Sequence, residues 1–378
     1  MRVIVDRPHP PADLVLAGGR IVTPEGVLGD GRGDGWVALA DGVIGAVGSG
    51  DPPVGARRRD LDGAWVLPGF VDLHMHGGGG HDVTRSVDAM AAAVAFHRGH
   101  GTTATLVSLV TADPDALREQ LSWVAALTRR GATRAGRVLG SHLEGPFLSP
   151  ARCGAQNPAF LRPPDRKVFA RLLAGADGTL RTVTVAPELP GALDIVGDAV
   201  AAGVVAALGH SDATYAQARA GIEAGASLAT HLCNGMRPLH HREPGVVGAA
   251  LEAEIACEVI NDGIHVHPAV TAIVGQRPER LVLVTDAIDA AGVGDGEYLL
   301  GGQHLRVRDG QARLTSSGSL AGSTLTMDAA LRRAVHGSGL SIEAASLAAS
   351  GNPARVLGMA GQLGAIAPGL RADLVVLD

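Results

Sequence analysis

Histidines in this sequence follow a short apolar run at a spacing that suits metal binding. His74 and His76 are separated by one residue and end the run Val66–Leu73. Because residues two apart on a strand point to the same face, both imidazoles can enter one site. Imidazole nitrogens are common ligands of zinc and other divalent transition metals. The pair therefore predicts a metal site at the end of that strand.

Three further side chains with ligand chemistry follow later apolar runs. They are Glu144, His210 and His231. A carboxylate can bind one metal or bridge two, and imidazoles supply nitrogen ligands. We expect one or two divalent ions per chain, with zinc preferred over iron, manganese or cobalt.

Asp286 ends the very apolar segment Leu-Val-Leu-Val-Thr-Asp. Burying a carboxylate there costs several kcal/mol unless it is paired or lies near a cation. We therefore expect Asp286 to act as a general acid and base beside a water that the metal activates.

The lysine content narrows the choice of a bridging ligand. Lys167 is the only lysine, and it lies in the predicted helix Asp165–Leu173 and not at a strand end. A carbamylated lysine bridge is therefore not expected. If two metals bind, Glu144 is the predicted bridge.

After Trp65, strand-length apolar runs alternate with alanine-rich helical stretches. This alternation predicts the strands and helices that position these residues. Continuous apolar strands are typical of a parallel sheet that is covered on both faces. Such units, about eight in number, predict a (β/α)8 TIM-type barrel over residues 65–349, with functional side chains at the carboxyl ends of its strands. The runs are Val66–Leu73, Thr103–Val110, Val138–His142, Thr182–Val185, Val204–Leu208, Leu228–Leu232, Ala256–Ile260 and Leu281–Val284.

Both ends of the chain are predicted to form a second, smaller domain, a β-sandwich of residues 1–64 and 350–378. Short strands punctuated by Gly and Asp fill the first segment, and a strand at Ala372–Asp378 can pair with them. A strand-rich insert is expected at Gly292–Leu314, followed by helices at Met327–His336 and Ile342–Ala349. The fold class is thus α/β.

Composition excludes several classes of protein. The net charge of -6 offers no basic surface for nucleic acid. The amino terminus carries charges and prolines where a signal peptide needs an apolar run, and the apolar runs are too short to cross a membrane. The three cysteines form no CxxC pair, so neither disulfides nor a thiolate metal site are indicated. We expect a cytoplasmic protein.

Seven longer motifs extend over nearly the whole chain. They are PGFVDLHMHGGGG from Pro68, HLEGPFLSP from His142, LGHSDATY from Leu208, THLCNGMRPLHHREPG from Thr230, NDGIHVHP from Asn261, LVTDAIDAAG from Leu283 and SLAGSTLTM from Ser319. Together they resemble the N-acetylglucosamine-6-phosphate deacetylases of the amidohydrolase superfamily. That resemblance implies hydrolysis of N-acetyl-D-glucosamine 6-phosphate, a small-molecule amino-sugar phosphate, to D-glucosamine 6-phosphate and acetate.

The resemblance also implies roles for individual residues. Glu144, His210 and His231 would hold the principal metal, His74 and His76 a second one, and Asp286 would be the catalytic acid and base. The family is dimeric, which implies a homodimer in which Arg242 reaches the partner's site. His265 would bind a sugar hydroxyl or polarise the amide carbonyl. The implied substrate-binding residues are Ala155, Gln156, Asn234, Gly235, Arg242, Asp262, His265, Leu320, Ala321 and Gly322.

One position departs from the family pattern, and two alternative functions stay open. Gln156 stands where the family often has a histidine, so it can hydrogen-bond a ligand but carries no charge. Another hydrolase on this scaffold, such as an N-acyl amino acid deacylase or a deaminase, would not need Arg242. A non-catalytic protein of the same fold would be expected to have lost metal ligands, and this chain has the full set.

Overall fold

Eight parallel strands form a barrel in the structure, a computed structural model that describes residues 13–54, 56–131 and 136–378. Each strand pairs with the next one along the chain. The eighth strand meets the first through backbone hydrogen bonds from Asp286 to His74 and from His76 to Ala287, both of 2.8 Å. The predicted barrel is therefore confirmed. Its strands are Phe70–Asp72, Thr102–Val110, Arg137–Glu144, Leu180–Val185, Val205–Leu208, Leu228–Ala229, Ala256–Ile260 and Leu281–Val284.

Helices follow the barrel strands and cover the barrel from outside. Several helices begin after a residue whose side chain caps the helix. At Thr214, for example, the side chains of Thr214 and Gln217 form a capping box. No helix among the described residues is long and apolar enough to cross a membrane. The helices are Val87–Arg98, Pro114–Arg129, Arg166–Gly175, Ala192–Ala201, Tyr215–Glu223, Gly245–Glu252, Pro268–Val274, Met327–His336, Ile342–Ser346 and Asn352–Val356, the last two joined by the π-helical turn Leu347–Gly351.

A small β domain is built from both ends of the chain, as predicted. Its strands form one seven-stranded sheet around a long first strand that changes register between Ala17 and Gly19. The last strand runs antiparallel to Trp65–Pro68, with Leu377 opposite Trp65. The strands are Leu14–Thr23, Gly26–Leu28, Gly35–Ala40, Val43–Ser49, Arg57–Asp60, Trp65–Pro68 and Leu374–Leu377. The predicted domain boundaries stay a prediction, and residues 1–12 lie outside the described part.

The apolar run Val66–Leu73 does not form one strand, contrary to expectation. It divides at Gly69: Trp65–Pro68 belongs to the small sheet, and only Phe70–Asp72 belongs to the barrel. A Cβ on Gly69 would lie 2.2 Å from Oγ1 of Thr103, so only glycine allows this close approach. The first barrel strand is therefore short, and it delivers His74 and His76 directly to the barrel mouth.

A three-stranded antiparallel insert follows the eighth barrel strand, where the sequence predicted a strand-rich segment. Its strands are Gly296–Leu300, Gln303–Arg308 and Gln311–Leu314. Buried residues of the insert, including Leu300 and Leu305, pack against Val110 and Ile288 from the barrel. The insert therefore forms one wall above the carboxyl ends of the strands. Two two-residue strands, Gly77–Gly78 and His81–Asp82, pair beside it.

Candidate active site

Two groups of three potential metal ligands lie at the carboxyl ends of the barrel strands, all six residues buried. One group is His74, His76 and Asp286, and the other is Glu144, His210 and His231. Within each group the ligand atoms lie within 4.8 Å of one another. The structure therefore brings together the six residues that the sequence predicted as ligands and as acid and base, although they come from five different strands.

Glu144 lies between the two groups. Its Oε1 is 2.9 Å from Nε2 of His210 and 3.0 Å from Nε2 of His231. Its Oε2 is 3.2 Å from Nε2 of His76. Oε1 also lies 3.6 Å from Nε2 of His74, so the carboxylate reaches the ligands of both groups, as a bridging carboxylate must. Lys167 is exposed on the helix Arg166–Gly175, far in sequence from any strand end.

In three of these histidines, the ring nitrogen Nδ1 has a hydrogen-bond acceptor. Nδ1 of His76 lies 3.1 Å from the carbonyl oxygen of Ser108, and Nδ1 of His210 lies 2.9 Å from that of Arg152. Nδ1 of His74 lies 3.2 Å from Oε2 of Glu258. A carbonyl or carboxylate oxygen can only accept, so each Nδ1 carries a proton and Nε2 is the ring nitrogen that a metal could bind.

The Nε2 atoms of the four histidines converge in pairs. Nε2 of His74 lies 3.0 Å from Nε2 of His76, and Nε2 of His210 lies 3.1 Å from Nε2 of His231. Two lone pairs at this distance repel each other unless a proton or a metal cation lies between them. Nitrogen and carboxylate donors of this kind suit zinc, iron, manganese and cobalt. The donor set therefore fits a divalent metal centre.

The charges around the first pair support the same conclusion. Burial alone lowers the pKa of His76, but hydrogen bonds to Asp286 and Glu144 raise it to about 9. The pKa of His74 is also raised, against burial, by the charges of Asp286 and Glu144. The carboxylates of Asp286 and Glu144 therefore favour a positive charge beside them. A bound divalent cation would supply that charge when the two imidazole rings are neutral.

Asp286 lies beside this pair and remains accessible from the cleft. Its Oδ1 is 3.2 Å from Nε2 of His76 and 3.5 Å from Nε2 of His74, and 11 % of its side chain is exposed. Burial raises the pKa of Asp286, but the charge of His74 and the bond to His76 outweigh it and lower the pKa to about 2. The carboxylate is therefore ionised at neutral pH and can accept a proton.

Backbone strain accompanies three of these residues. His210, His231 and Asp286 have φ of 46°, 31° and 49°, in the left-handed region that non-glycine residues rarely adopt. Each follows the end of a barrel strand. Strained conformations of this kind cluster at functional sites, where the surrounding structure holds them. Here the turn out of the strand places each side chain over the barrel axis.

A cleft of about 330 Å³ opens above the ligands. Its size is in the range of small-molecule sites. Seven of the predicted substrate-binding residues line it: Ala155, Gln156, Asn234, Gly235, His265, Leu320 and Gly322.

Three predicted substrate-binding residues do not line the cleft. Arg242 is exposed, and its Nη1 lies 2.7 Å from Nε2 of His241. Ala321 is buried in the core of the insert. Asp262 is buried behind His265, and its Oδ2 lies 2.7 Å from Nδ1 of that histidine. Their predicted roles stay predictions.

Gln156 lines the cleft, but its amide is already bonded to protein on both sides. Its Nε2 donates to Oε2 of Glu144 over 2.6 Å, and its Oε1 accepts from the backbone N–H of Thr111 over 2.7 Å. The side chain is therefore placed to orient Glu144, a candidate metal ligand, more than to bind substrate.

Sequence reasoning missed Glu258, which is 1 % exposed. It lies in the seventh barrel strand and accepts from the backbone N–H of His231 over 3.2 Å as well as facing His74. It thus connects the two groups of ligands from behind. The available signal was a carboxylate within the otherwise apolar strand Ala-Cys-Glu-Val-Ile.

Comparison with known proteins agrees with this geometry. Residues 65–378 match the model of the amidohydrolase family. The chain is 42% identical over 368 residues to N-acetylgalactosamine-6-phosphate deacetylase of Escherichia coli O157:H7, covering 96% of this chain and 95% of the relative. It is 35% identical to N-acetylglucosamine-6-phosphate deacetylase of Rattus norvegicus, covering 97% of this chain and 87% of the relative.

Solved structures show the same relationship. N-acetyl-D-glucosamine-6-phosphate deacetylase of Mycobacterium smegmatis is 45% identical with a TM-score of 0.90, covering 97% of this chain and 96% of that one. The Thermotoga maritima N-acetylglucosamine-6-phosphate deacetylase is 32% identical with a TM-score of 0.85, covering 96% and 95%. The chain therefore belongs to the amidohydrolase family and, within it, to the N-acetylglucosamine-6-phosphate deacetylases.

Proposed function

We propose that this protein hydrolyses N-acetyl-D-glucosamine 6-phosphate to D-glucosamine 6-phosphate and acetate. The observation that carries the proposal is the position of Glu144 between two sets of buried ligands, with Asp286 open to the cleft above them. The relatives support the substrate class, because each is named as a deacetylase of an amino-sugar phosphate.

The metal centre is proposed from the same contacts. Glu144, His210 and His231 would hold the principal divalent ion, and His74 with His76 would hold a second ion that shares Glu144. A divalent metal bound there would act as a Lewis acid and would lower the pKa of a bound water molecule toward neutrality. Glu258 and the carbonyl oxygens of Ser108 and Arg152 keep the histidine rings oriented for this purpose.

The protein's own residues divide the remaining work. Asp286 takes a proton from the water that attacks the acetyl carbonyl, and then donates that proton to the leaving amine nitrogen. His265 lies in the cleft with Nδ1 held by Asp262, so its Nε2 is the ring nitrogen left for a sugar hydroxyl or the amide carbonyl. Leu320 and Gly322 complete the wall beside Asp286.

The orientation of the sugar's C4 hydroxyl distinguishes two candidate substrates for this site. The Escherichia coli relative is named for the galactosamine substrate, and most of the others are named for the glucosamine substrate. The two substrates differ only at C4. N-acetyl-D-galactosamine 6-phosphate is therefore the second candidate.

An acetate-release assay on protein of measured metal content tests the proposal. It compares both phosphorylated amino sugars with N-acetylglucosamine and an N-acetyl amino acid, and a separate assay measures ammonia release from an aminated heterocycle. We expect the highest kcat/KM with N-acetyl-D-glucosamine 6-phosphate. A higher value with an N-acyl amino acid, or ammonia release from the heterocycle, would replace the proposal by the deacylase or the deaminase.

The oligomeric state and location are also proposed. Arg242 is exposed next to Leu239, an apolar side chain that is 58% exposed, so this loop is suited to contact a second copy and to place Arg242 in its cleft. All three cysteines are unpaired, which is typical of a reducing cytoplasm. Sedimentation of the purified protein would test the homodimer, and cell fractionation would test the location.

A further inference from the structure

The substrate proposed above carries a phosphate, and a phosphate needs cationic donors. Among the described residues that line the cleft, Arg152 is the only arginine or lysine. It ends the short helical turn Pro150–Arg152, in the loop that follows the third barrel strand. Arginine is well suited to such a site because its guanidinium offers several donors in a fixed plane.

The guanidinium of Arg152 is held in place but keeps donors free. Its Nε donates to Oδ1 of Asp212 over 2.8 Å. Arg237 donates to Oδ2 of the same carboxylate over 2.8 Å, so two guanidinium groups share one negative charge. Within the described residues, neither terminal nitrogen of Arg152 has a hydrogen-bond acceptor, and its side chain is 34% exposed. The terminal nitrogens of Arg152 are therefore available to donate to a ligand at the rim.

Arg152 also lies next to other residues predicted to contact the sugar phosphate. Its carbonyl oxygen accepts from Nδ1 of His210 over 2.9 Å. A Cβ built on Gly235 would lie 3.4 Å from the same oxygen, which places the turn against the Asn234–Gly235 backbone. One loop thus contacts the metal centre through its backbone and presents a cation through its side chain.

Two other side chains predicted to bind the substrate, Gln156 and Arg242, are engaged elsewhere. The neutral amide of Gln156 is bonded to Glu144 and Thr111. Arg242 is exposed and lies against His241, outside the cleft of its own chain. The geometry points to Arg152 as a ligand of the substrate's 6-phosphate and as a determinant of the preference for phosphorylated amino sugars. This inference rests on the proposed function.

Steady-state kinetics of Arg152→Ala with and without the phosphate on the substrate test the inference. We expect KM for N-acetyl-D-glucosamine 6-phosphate to rise roughly 10- to 100-fold, the effect of losing hydrogen bonds to a charged group. With N-acetylglucosamine the same substitution is expected to change kcat/KM less than twofold. Arg152→Lys should recover part of the loss, because it restores the charge without the planar fork.

Asp212→Asn is the matched control, since it breaks the same ion pair but keeps Arg152. If Arg152 only stabilises the loop, both variants should lose activity equally on both substrates, and this result would overturn the inference. An unchanged KM in Arg152→Ala would overturn it as well. Arg152→Gln and the metal content of each variant separate these outcomes from misfolding.

Binding of inorganic phosphate tests the role of Arg152 separately from the proposed function. If the wild-type protein releases no acetate from either phosphorylated sugar, the proposed function fails. Calorimetric titration with phosphate still tests Arg152, because the wild-type protein should then bind phosphate at least tenfold more tightly than Arg152→Ala. Equal binding by both proteins would overturn the assignment of Arg152.

Discussion

The side-chain amide of Gln156 donates to Glu144 over 2.6 Å and is held from the other side by the backbone N–H of Thr111. Because Gln156 takes one lone pair of Oε2, the carboxylate is kept with Oε1 toward His210 and His231. Gln303 in turn donates to the carbonyl oxygens of Ala155 and Gln156. The insert thereby supports the loop that orients Glu144.

Removing this amide should weaken metal binding. We expect Gln156→Leu to lower the affinity for a divalent ion roughly 10- to 100-fold, the usual effect of losing a partner of a metal ligand. Competition with a chromophoric chelator measures the affinity. The exposed Gln276 offers a matched control, Gln276→Leu, which should bind metal as the wild type does. Equal affinities in all three proteins would show that Gln156 does not support Glu144.

Metal content should distinguish the two groups of ligands. Glu144→Gln should lose nearly all bound metal, because Glu144 faces both groups. A double variant, His74→Ala with His76→Ala, should lose the second ion and keep the one at His210 and His231. Elemental analysis after dialysis gives ions per chain. If Glu144→Gln keeps as much metal as the double variant does, Glu144 is not shared.

Asp286→Asn should abolish turnover without emptying the centre. The amide cannot take a proton from water, and loss of a general acid and base costs roughly 10²- to 10⁴-fold in rate. Acetate release and metal content are measured on the same sample. Asp309→Asn, at an exposed aspartate, should keep full activity. A fully active Asp286→Asn enzyme would assign proton transfer to another residue.

His97 should make the protein less stable in acid. It is buried, with Nε2 2.8 Å from the carbonyl oxygen of Gly77. Burial lowers its pKa from 6.5 to about 4. Between these values the unfolded chain binds more protons than the folded one, so the free energy of unfolding falls as pH falls. Between a pH above 6.5 and a pH below 4, the free energy of unfolding decreases by about 3 kcal/mol because of His97.

Urea denaturation at pH 7.5 and at pH 5 measures this effect. His97→Gln should show a smaller decrease between the two pH values than the wild type does. The exposed His336 provides the control, His336→Gln, whose decrease should match that of the wild type. Equal decreases in all three proteins would mean that His97 is not the residue responsible.

Local sequence patterns were sufficient for the barrel and for the types of ligand. The alternation of apolar runs and helices is a local property, and it predicts parallel strands whose carboxyl ends meet on one side. His74, Glu144 and Asp286 each follow or end such a run, so their convergence could be inferred before any distance was known. The capping residues predict helix starts for the same reason.

The contacts behind the ligands could not be predicted in this way. Glu258 faces His74 across 184 positions of sequence, and Gln156 meets Glu144 only after the loop folds back over the barrel mouth. The division of Val66–Leu73 depended on the close approach of Gly69 to Thr103. These relationships depend on which chain segments share space.

The sequence by itself thus predicted the barrel and the types of candidate ligand, because these depend on periodicity and on residue chemistry. Only the tertiary structure decided which ring nitrogen of His74, His76 and His210 faces the site, that Glu144 reaches both groups, and that Arg152 is the cation at the rim of the cleft. The physical reason is that hydrogen bonds and charges act across space, and local spacing does not encode the distance between segments that are far apart in the chain.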